Sequence, residues 1–150
     1  MQLSKDFQDL LELFNQHGVQ YLVAGGYATS IYAEPRYTKD LDLWVEAEPG
    51  NAKRILSALR EFGFGSVGLE LSDFTRDDHV VQLGREPNRI DILTQLKGLD
   101  FLDCYPRRRL LPLAGLEVPF LSKSDLITNK KAVGRLRDLA DVEELERSNP

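Results

Sequence analysis

The chain has 150 residues, 42% of them hydrophobic, and a formal net charge of −5. That length and apolar content suffice to bury one core, so disorder throughout is excluded and a single domain over residues 1–150 is expected. The acidic balance excludes nonspecific duplex binding as the main task, because that affinity comes from many Lys and Arg contacts to phosphates, whereas a small anionic ligand needs only one or two cations.

The N-terminal MQLSKDFQDL has neither the basic start nor the apolar stretch of a secretory signal, and no apolar run reaches the roughly 20 residues of a membrane span; a cytoplasmic protein is expected. In SKDFQDLLELFNQHG the residues Phe7, Leu10, Leu11 and Phe14 recur at helical spacing, with Ser4 as N-cap and Gly18 as stop, which predicts a core-packing helix. VQYLVAG reads as a buried strand ending in Gly25-Gly26, and a short helix from Tyr27 to Ala33 follows, stopped before Pro35. DLDLWVE alternates carboxylate with apolar side chains, so a period of two puts Asp40 and Asp42 on one face and Leu41, Leu43 and Val45 on the other. PGNAKRILSALREFGF carries Ile55, Leu56, Leu59 and Phe62 at helical spacing and predicts a second amphipathic helix.

HVVQLGREPNRIDILTQL predicts two strands joined by a turn at Pro87-Asn88, the second carrying Asp91 between Ile90 and Ile92. RRLLPLAGLEVPFL predicts two more short strands around Gly115. SKSDLITNKKAVGRLRDLADVEELER is the longest helical pattern and predicts one C-terminal helix capped by Ser122 or Ser124. Helices and hairpins are mixed, so the fold class is α+β, one mixed sheet with helices packed on it.

Two aspartates on one face of an apolar strand need a reason, because Asp is depleted in strands and like charges this close raise one another's proton affinity. A divalent cation removes that cost. Mg²⁺ in particular takes hard carboxylate oxygens while leaving positions for water and substrate phosphates. If the strand of Asp91 neighbours that of Asp40 and Asp42, three carboxylates meet and can hold two ions about 3.5–4 Å apart, the arrangement that clamps the attacking and leaving oxygens of phosphoryl or nucleotidyl transfer. A Gly-Gly pair at a strand end lets backbone approach a polyphosphate, and the helix start behind it offers free N–H groups to an anion.

These residues resemble the signature of the nucleotidyltransferase superfamily: an apolar residue, a Gly-Gly or Gly-Ser pair, a stretch of helix and loop, then Asp-x-Asp between apolar residues, with a third carboxylate on a later strand. Here the pattern is Ala24-Gly25-Gly26, the loop to Lys39, Asp40-Leu41-Asp42-Leu43, and Asp91 in RIDIL. DLITNKKAVGRLRDLADVEEL is similar to the tail of the branch containing abortive-infection-type toxins, matching at Lys130, Arg135, Asp138 and Asp141. The resemblance runs from about Gln20 to Leu145. It implies a nucleotidyltransferase-like fold and transfer of a nucleoside monophosphate from a nucleoside triphosphate to a hydroxyl on a protein, an RNA end or a small molecule. Asp40, Asp42 and Asp91 would be both catalytic and metal-binding, with two Mg²⁺ ions, replaceable by Mn²⁺; Gly25, Gly26, Lys130 and Asp141 would bind the nucleotide. Gly26 stands where many active members carry Ser, and minimal members often act with a partner chain or as homodimers. The alternative implied is a catalytically weak or inactive nucleotide-binding module, such as one half of a toxin–antitoxin pair.

Other candidates have plainer readings. Cys104 is the single cysteine and has no disulfide partner. Arg107, Arg108 and Arg109 read as a solvated strand end, His79 beside Asp77 and Asp78 as a surface cluster, Trp44 and Tyr27 as core or pocket wall, and Lys131 as an exposed helix residue. An ordinary i,i+3 pair is open to Arg135 and Asp138.

Overall fold

The alternation in DLDLWV becomes the third strand in a sheet of six in the computed structural model, which describes residues 3–35, 38–64 and 68–148. The elements in chain order are α1 (Lys5–Gln16), β1 (Tyr21–Ala24), α2 (Gly25–Tyr32), β2 (Asp40–Val45), α3 (Pro49–Leu59), β3 (Val80–Leu83), β4 (Arg89–Leu93), the one-turn α4 (Phe101–Cys104), β5 (Arg109–Leu113), β6 (Leu116–Phe120), α5 (Lys123–Val133) and α6 (Leu136–Arg147). Strand order is β3-β4-β2-β1-β6-β5. β1 runs antiparallel to β2 but parallel to β6, β2 runs parallel to β4, and β3–β4 and β5–β6 are antiparallel hairpins, so the sheet is mixed as expected. No helix among the described residues is long and apolar enough to cross a membrane.

The periodicities fold as written. Ser4 caps α1 by accepting from the Phe7 amide, and Phe7, Leu10, Leu11 and Phe14 are all buried. They share a core with Leu41, Leu43 and Val45 of β2, Ile90 and Ile92 of β4, and Ala52, Ile55 and Leu59 of α3. Glu48 starts α3 by accepting from the amides of Gly50 and Asn51 at 2.7 and 3.0 Å, with Pro49 fixing the first turn. The β5–β6 turn is Ala114-Gly115, both at positive φ (+50° and +78°), the geometry of a two-residue hairpin.

The α3 helix ends at Leu59, short of the expected Phe62, and the one-turn α4 was not expected; two further differences shape the site. The α2 segment begins at Gly25, two residues ahead of Tyr27, so the glycine pair forms its opening turn instead of a loop before it. The C-terminal pattern is two helices, because Gly134 closes α5 in the left-handed region at φ +73° and its amide bonds back to Lys130 O. Arg135 then restarts the chain as the N-cap of α6, its own amide donating to Asp138 Oδ2 at 3.3 Å. The apolar period runs through this corner unbroken, which is why sequence pattern alone read one helix; the corner folds α6 back against α5.

Candidate active site

Register brings the acidic residues together. The parallel pairing of β2 and β4 sets Asp42 opposite Asp91 and Asp40 opposite Arg89, while antiparallel β1 sets Ala24 opposite Asp42. All five side chains therefore lie on one stretch of one sheet face. One oxygen from each of Asp40, Asp42 and Asp91 lies within 4.8 Å of the others. The convergence expected from sequence is thus present, on strands that are sheet neighbours.

Close approach explains the first glycine. Gly25 sits at φ +62°, and a Cβ there would overlap Asp42 Oδ2, so any larger residue would push the carboxylate off its position. A Cβ at Gly26 would, for its part, stand 2.8 Å from Thr38 Cγ2 and 3.0 Å from Thr38 Oγ1. The space that a serine side chain would fill at position 26 is taken by threonine from the following loop, so a hydroxyl lines the site there all the same.

The electrostatics are those of crowded anions. Burial, reinforced by the charges of Asp40 and Asp91, pushes the Asp42 carboxyl up to about 7. Burial also raises Asp91, opposed by the Arg89 guanidinium. Arg89 Nη2 donates to Asp40 Oδ2 at 2.8 Å and to Asp91 Oδ2 at 3.2 Å, while its Nε donates to Asp91 Oδ1 at 3.1 Å. The donor set fits a hard divalent cation: carboxylate oxygens only, grouped within reach of one ion, carrying excess negative charge, and already attracting a cationic side chain.

Asp40, Asp42 and Arg89 border a cleft of about 480 Å³, a volume suited to a small-molecule site, with Asp91 buried behind them. Gly25, Gly26, Thr38, Asp40, Asp42 and Arg89 line one side; Lys130, Arg135, Arg137, Asp138 and Asp141 line the other. The α5–α6 corner supplies this second wall. Lys130 is buried, with Nζ 2.8 Å from Asp141 Oδ2 and 3.9 Å from Asp138 Oδ1. The i,i+3 pair of Arg135 and Asp138 is present at 2.6 Å and holds the Asp138 carboxyl below its usual range. Lys131 faces outward, paired with exposed Glu146 at 3.2 Å. A larger groove of about 750 Å³ lies along Asp6, Asp9, Phe62 and Leu83; it contains none of the three clustered aspartates, so chemistry and not size assigns the site.

The remaining candidates are structural. Arg107 grips buried Asp125 at 2.9 and 3.1 Å, Arg108 lies over the Tyr105 ring and Arg109 over that of Tyr32, so the basic run is dispersed over three separate contacts. His79 pairs with Asp73 at 3.4 Å, away from the cleft. The Cys104 thiol is buried and pushed up to about 11, which leaves no thiolate for nucleophilic work. Trp44 is core, edge-on to Phe101 at 5.1 Å, and Tyr27 packs edge-on against Phe7 at 5.8 Å. Sequence reasoning missed Arg89 and Thr38. Arg89 was legible, since the period of two in RIDIL places it on the face of Asp91.

No family model matches the sequence, and no curated protein matches it. Among solved structures the chain is similar to the lincosamide antibiotic adenylyltransferase LnuA with lincomycin bound, at a TM-score of 0.59 and 15% identity, over 97% of this chain and 98% of that one. It is also similar to an antigenic nucleotidyltransferase-like protein from Paracoccidioides brasiliensis, at a TM-score of 0.55 and 19% identity, over 97% of this chain and 78% of that one. The fold is therefore α+β of the nucleotidyltransferase-like kind.

Proposed function

We propose that this chain transfers a nucleoside monophosphate from a Mg²⁺-bound nucleoside triphosphate to a hydroxyl acceptor. The observation that carries the reading is the pairing of Asp42 with Asp91 across parallel strands, which gathers three carboxylate oxygens within 4.8 Å, with Asp40 and Asp42 lining a cleft that Lys130, Arg135 and Arg137 also line. When bound there, divalent ions would offset charge on the triphosphate and on the leaving pyrophosphate. Mn²⁺ is expected to substitute.

The chain's own residues then have distinct tasks. Asp40 and Asp42 hold the cation site on β2. Gly25 and Gly26 keep the approach to it open, and the amides opening α2 face the phosphates. Lys130, Arg135 and Arg137 oppose phosphate charge from the α5–α6 wall, with Asp141 fixing the Lys130 ammonium in place. Thr38 supplies the hydroxyl that position 26 lacks. Asp91 receives the acceptor's proton as the hydroxyl oxygen bonds to the α-phosphorus and the bond from that phosphorus to the bridging oxygen breaks, releasing pyrophosphate.

A small-molecule hydroxyl is the favoured acceptor, supported by the end-to-end likeness to an antibiotic adenylyltransferase solved with lincomycin bound. The test is incubation with labelled nucleoside triphosphates, Mg²⁺ or Mn²⁺, and either whole-cell lysate or a panel of lincosamides and aminoglycosides. Label on a small molecule with matching pyrophosphate release supports the reading. Label on a protein or RNA moves the acceptor to that class, and triphosphate binding without pyrophosphate release supports a binding module instead.

A further inference from the structure

Arg89 occupies the oxygens that the proposed metal site needs. Its forked guanidinium engages both oxygens of Asp91 and one of Asp40, at 2.8 to 3.2 Å. Asp91 lies buried beneath this grip, so its carboxylate cannot turn away to solvent to find a second set of partners. Held thus, each Asp91 oxygen already accepts a charge-assisted hydrogen bond, so a divalent ion or an acceptor's proton must compete with the guanidinium for that carboxylate. The guanidinium itself is less confined. Arg89 is part-exposed, and its third nitrogen, Nη1, already lies 3.8 Å from Glu86 Oε1 in the β3–β4 loop. Glu86 is half-exposed and also attracts Lys39 at 3.7 Å, so it is an anion at the cleft mouth within reach of a small rotation of the Arg89 side chain.

We propose that Arg89 is a latch on the cation site: its guanidinium holds Asp40 and Asp91 in place until a divalent ion displaces it onto Glu86, and only then is Asp91 free to act. The inference rests on the metal reading of the cleft given above. The physical basis is competition of two cations for one set of lone pairs, with a planar fork that matches carboxylate geometry better than a point charge does. Arg89 is thereby a positioning residue, acting through Asp91.

The test is Mn²⁺ binding, followed by electron paramagnetic resonance of the free ion, on the wild-type chain and on Arg89→Met and Arg89→Lys, each checked for folding by circular dichroism. Arg89→Met removes the competitor and should bind Mn²⁺ at least tenfold more tightly. Arg89→Lys keeps the charge but loses the fork, so it should also gain, by several-fold; it carries the test if Arg89→Met does not fold. A gain in Arg89→Met with none in Arg89→Lys would reduce the effect to general charge and overturn the latch. Wild-type binding unchanged by either substitution overturns it too while leaving the metal reading intact. Absence of Mn²⁺ binding in all three folded proteins overturns both. Glu86→Gln should weaken Mn²⁺ binding in the wild-type background and not in Arg89→Met; equal weakening in both removes Glu86 as the landing partner and overturns that part of the proposal.

Discussion

Replacing Asp42 by Asn should stabilise the metal-free protein at alkaline pH and leave it unchanged near pH 4. The Asp42 carboxyl titrates at about 7 in the folded chain against an ordinary 3.8, so between those values the native state binds the extra proton. Stability therefore falls as pH rises through that window, and the whole penalty is present above it. The interval is a little over three tenfold steps at about 1.4 kcal/mol each, a ceiling on the order of 4 kcal/mol. Solvent reaches the carboxylate from the cleft and Arg89 can shift toward it, so about half the ceiling, on the order of 2 kcal/mol, is expected to survive. For a chain of this length that corresponds to a rise in Tm of about 4–8 °C. The assay is thermal unfolding in EDTA from pH 4 to pH 8, with wild type and variant compared at each point. Adding Mn²⁺ should raise the wild-type Tm and not that of the variant. A variant less stable than wild type at pH 8, or more stable by the same amount at every pH, would refute the account of crowded anions and give Asp42 a structural hydrogen-bonding role.

Lys130→Ala leaves the Asp141 carboxylate buried without its ammonium partner and should cost about 3 kcal/mol, toward the low end for a broken buried pair because Asp138 keeps Arg135. Lys131→Ala removes only an exposed pair with Glu146 and should stay within about 1 kcal/mol; urea unfolding of both decides, and equal losses would deny the burial argument. Gly25→Ala should lose about 1–2 kcal/mol from left-handed strain alone and should abolish Mn²⁺-induced stabilisation, since its Cβ displaces the Asp42 carboxylate; a normal Mn²⁺ response in a thermal-shift experiment would show that the approach is not as close as it stands.

The strands and helices that carry a clean period were legible from sequence, and so was the sharing of a face by Asp40 and Asp42. The meeting with Asp91 was legible only as a condition, because which strands become neighbours is decided by topology and not by either strand's own pattern. The α5–α6 corner was hidden for a different reason: Gly134 inside a continuing apolar period costs a helix only about 1 kcal/mol, so the period outweighed it, and the capping of Arg135 by Asp138 resembled an ordinary helical pair. The role of Gly25 in admitting Asp42 was out of reach, since the approach joins residues on separate elements. Arg89 escaped through attention to acids alone.

The pairing of β2 with β4 also has a kinetic side. Asp40 and Arg89 are 49 positions apart, whereas the β3–β4 and β5–β6 hairpins and the α5–α6 corner close over short stretches of chain. Local pieces can form while the acidic groups are still distant, and the loop that unites them closes at greater entropic cost. Their mutual repulsion is then felt late on the folding route, after most apolar surface is buried, and it should act chiefly on how fast the native chain comes apart. A cation held by these groups would accordingly act as a lock on escape from the finished topology, slowing departure without hastening arrival.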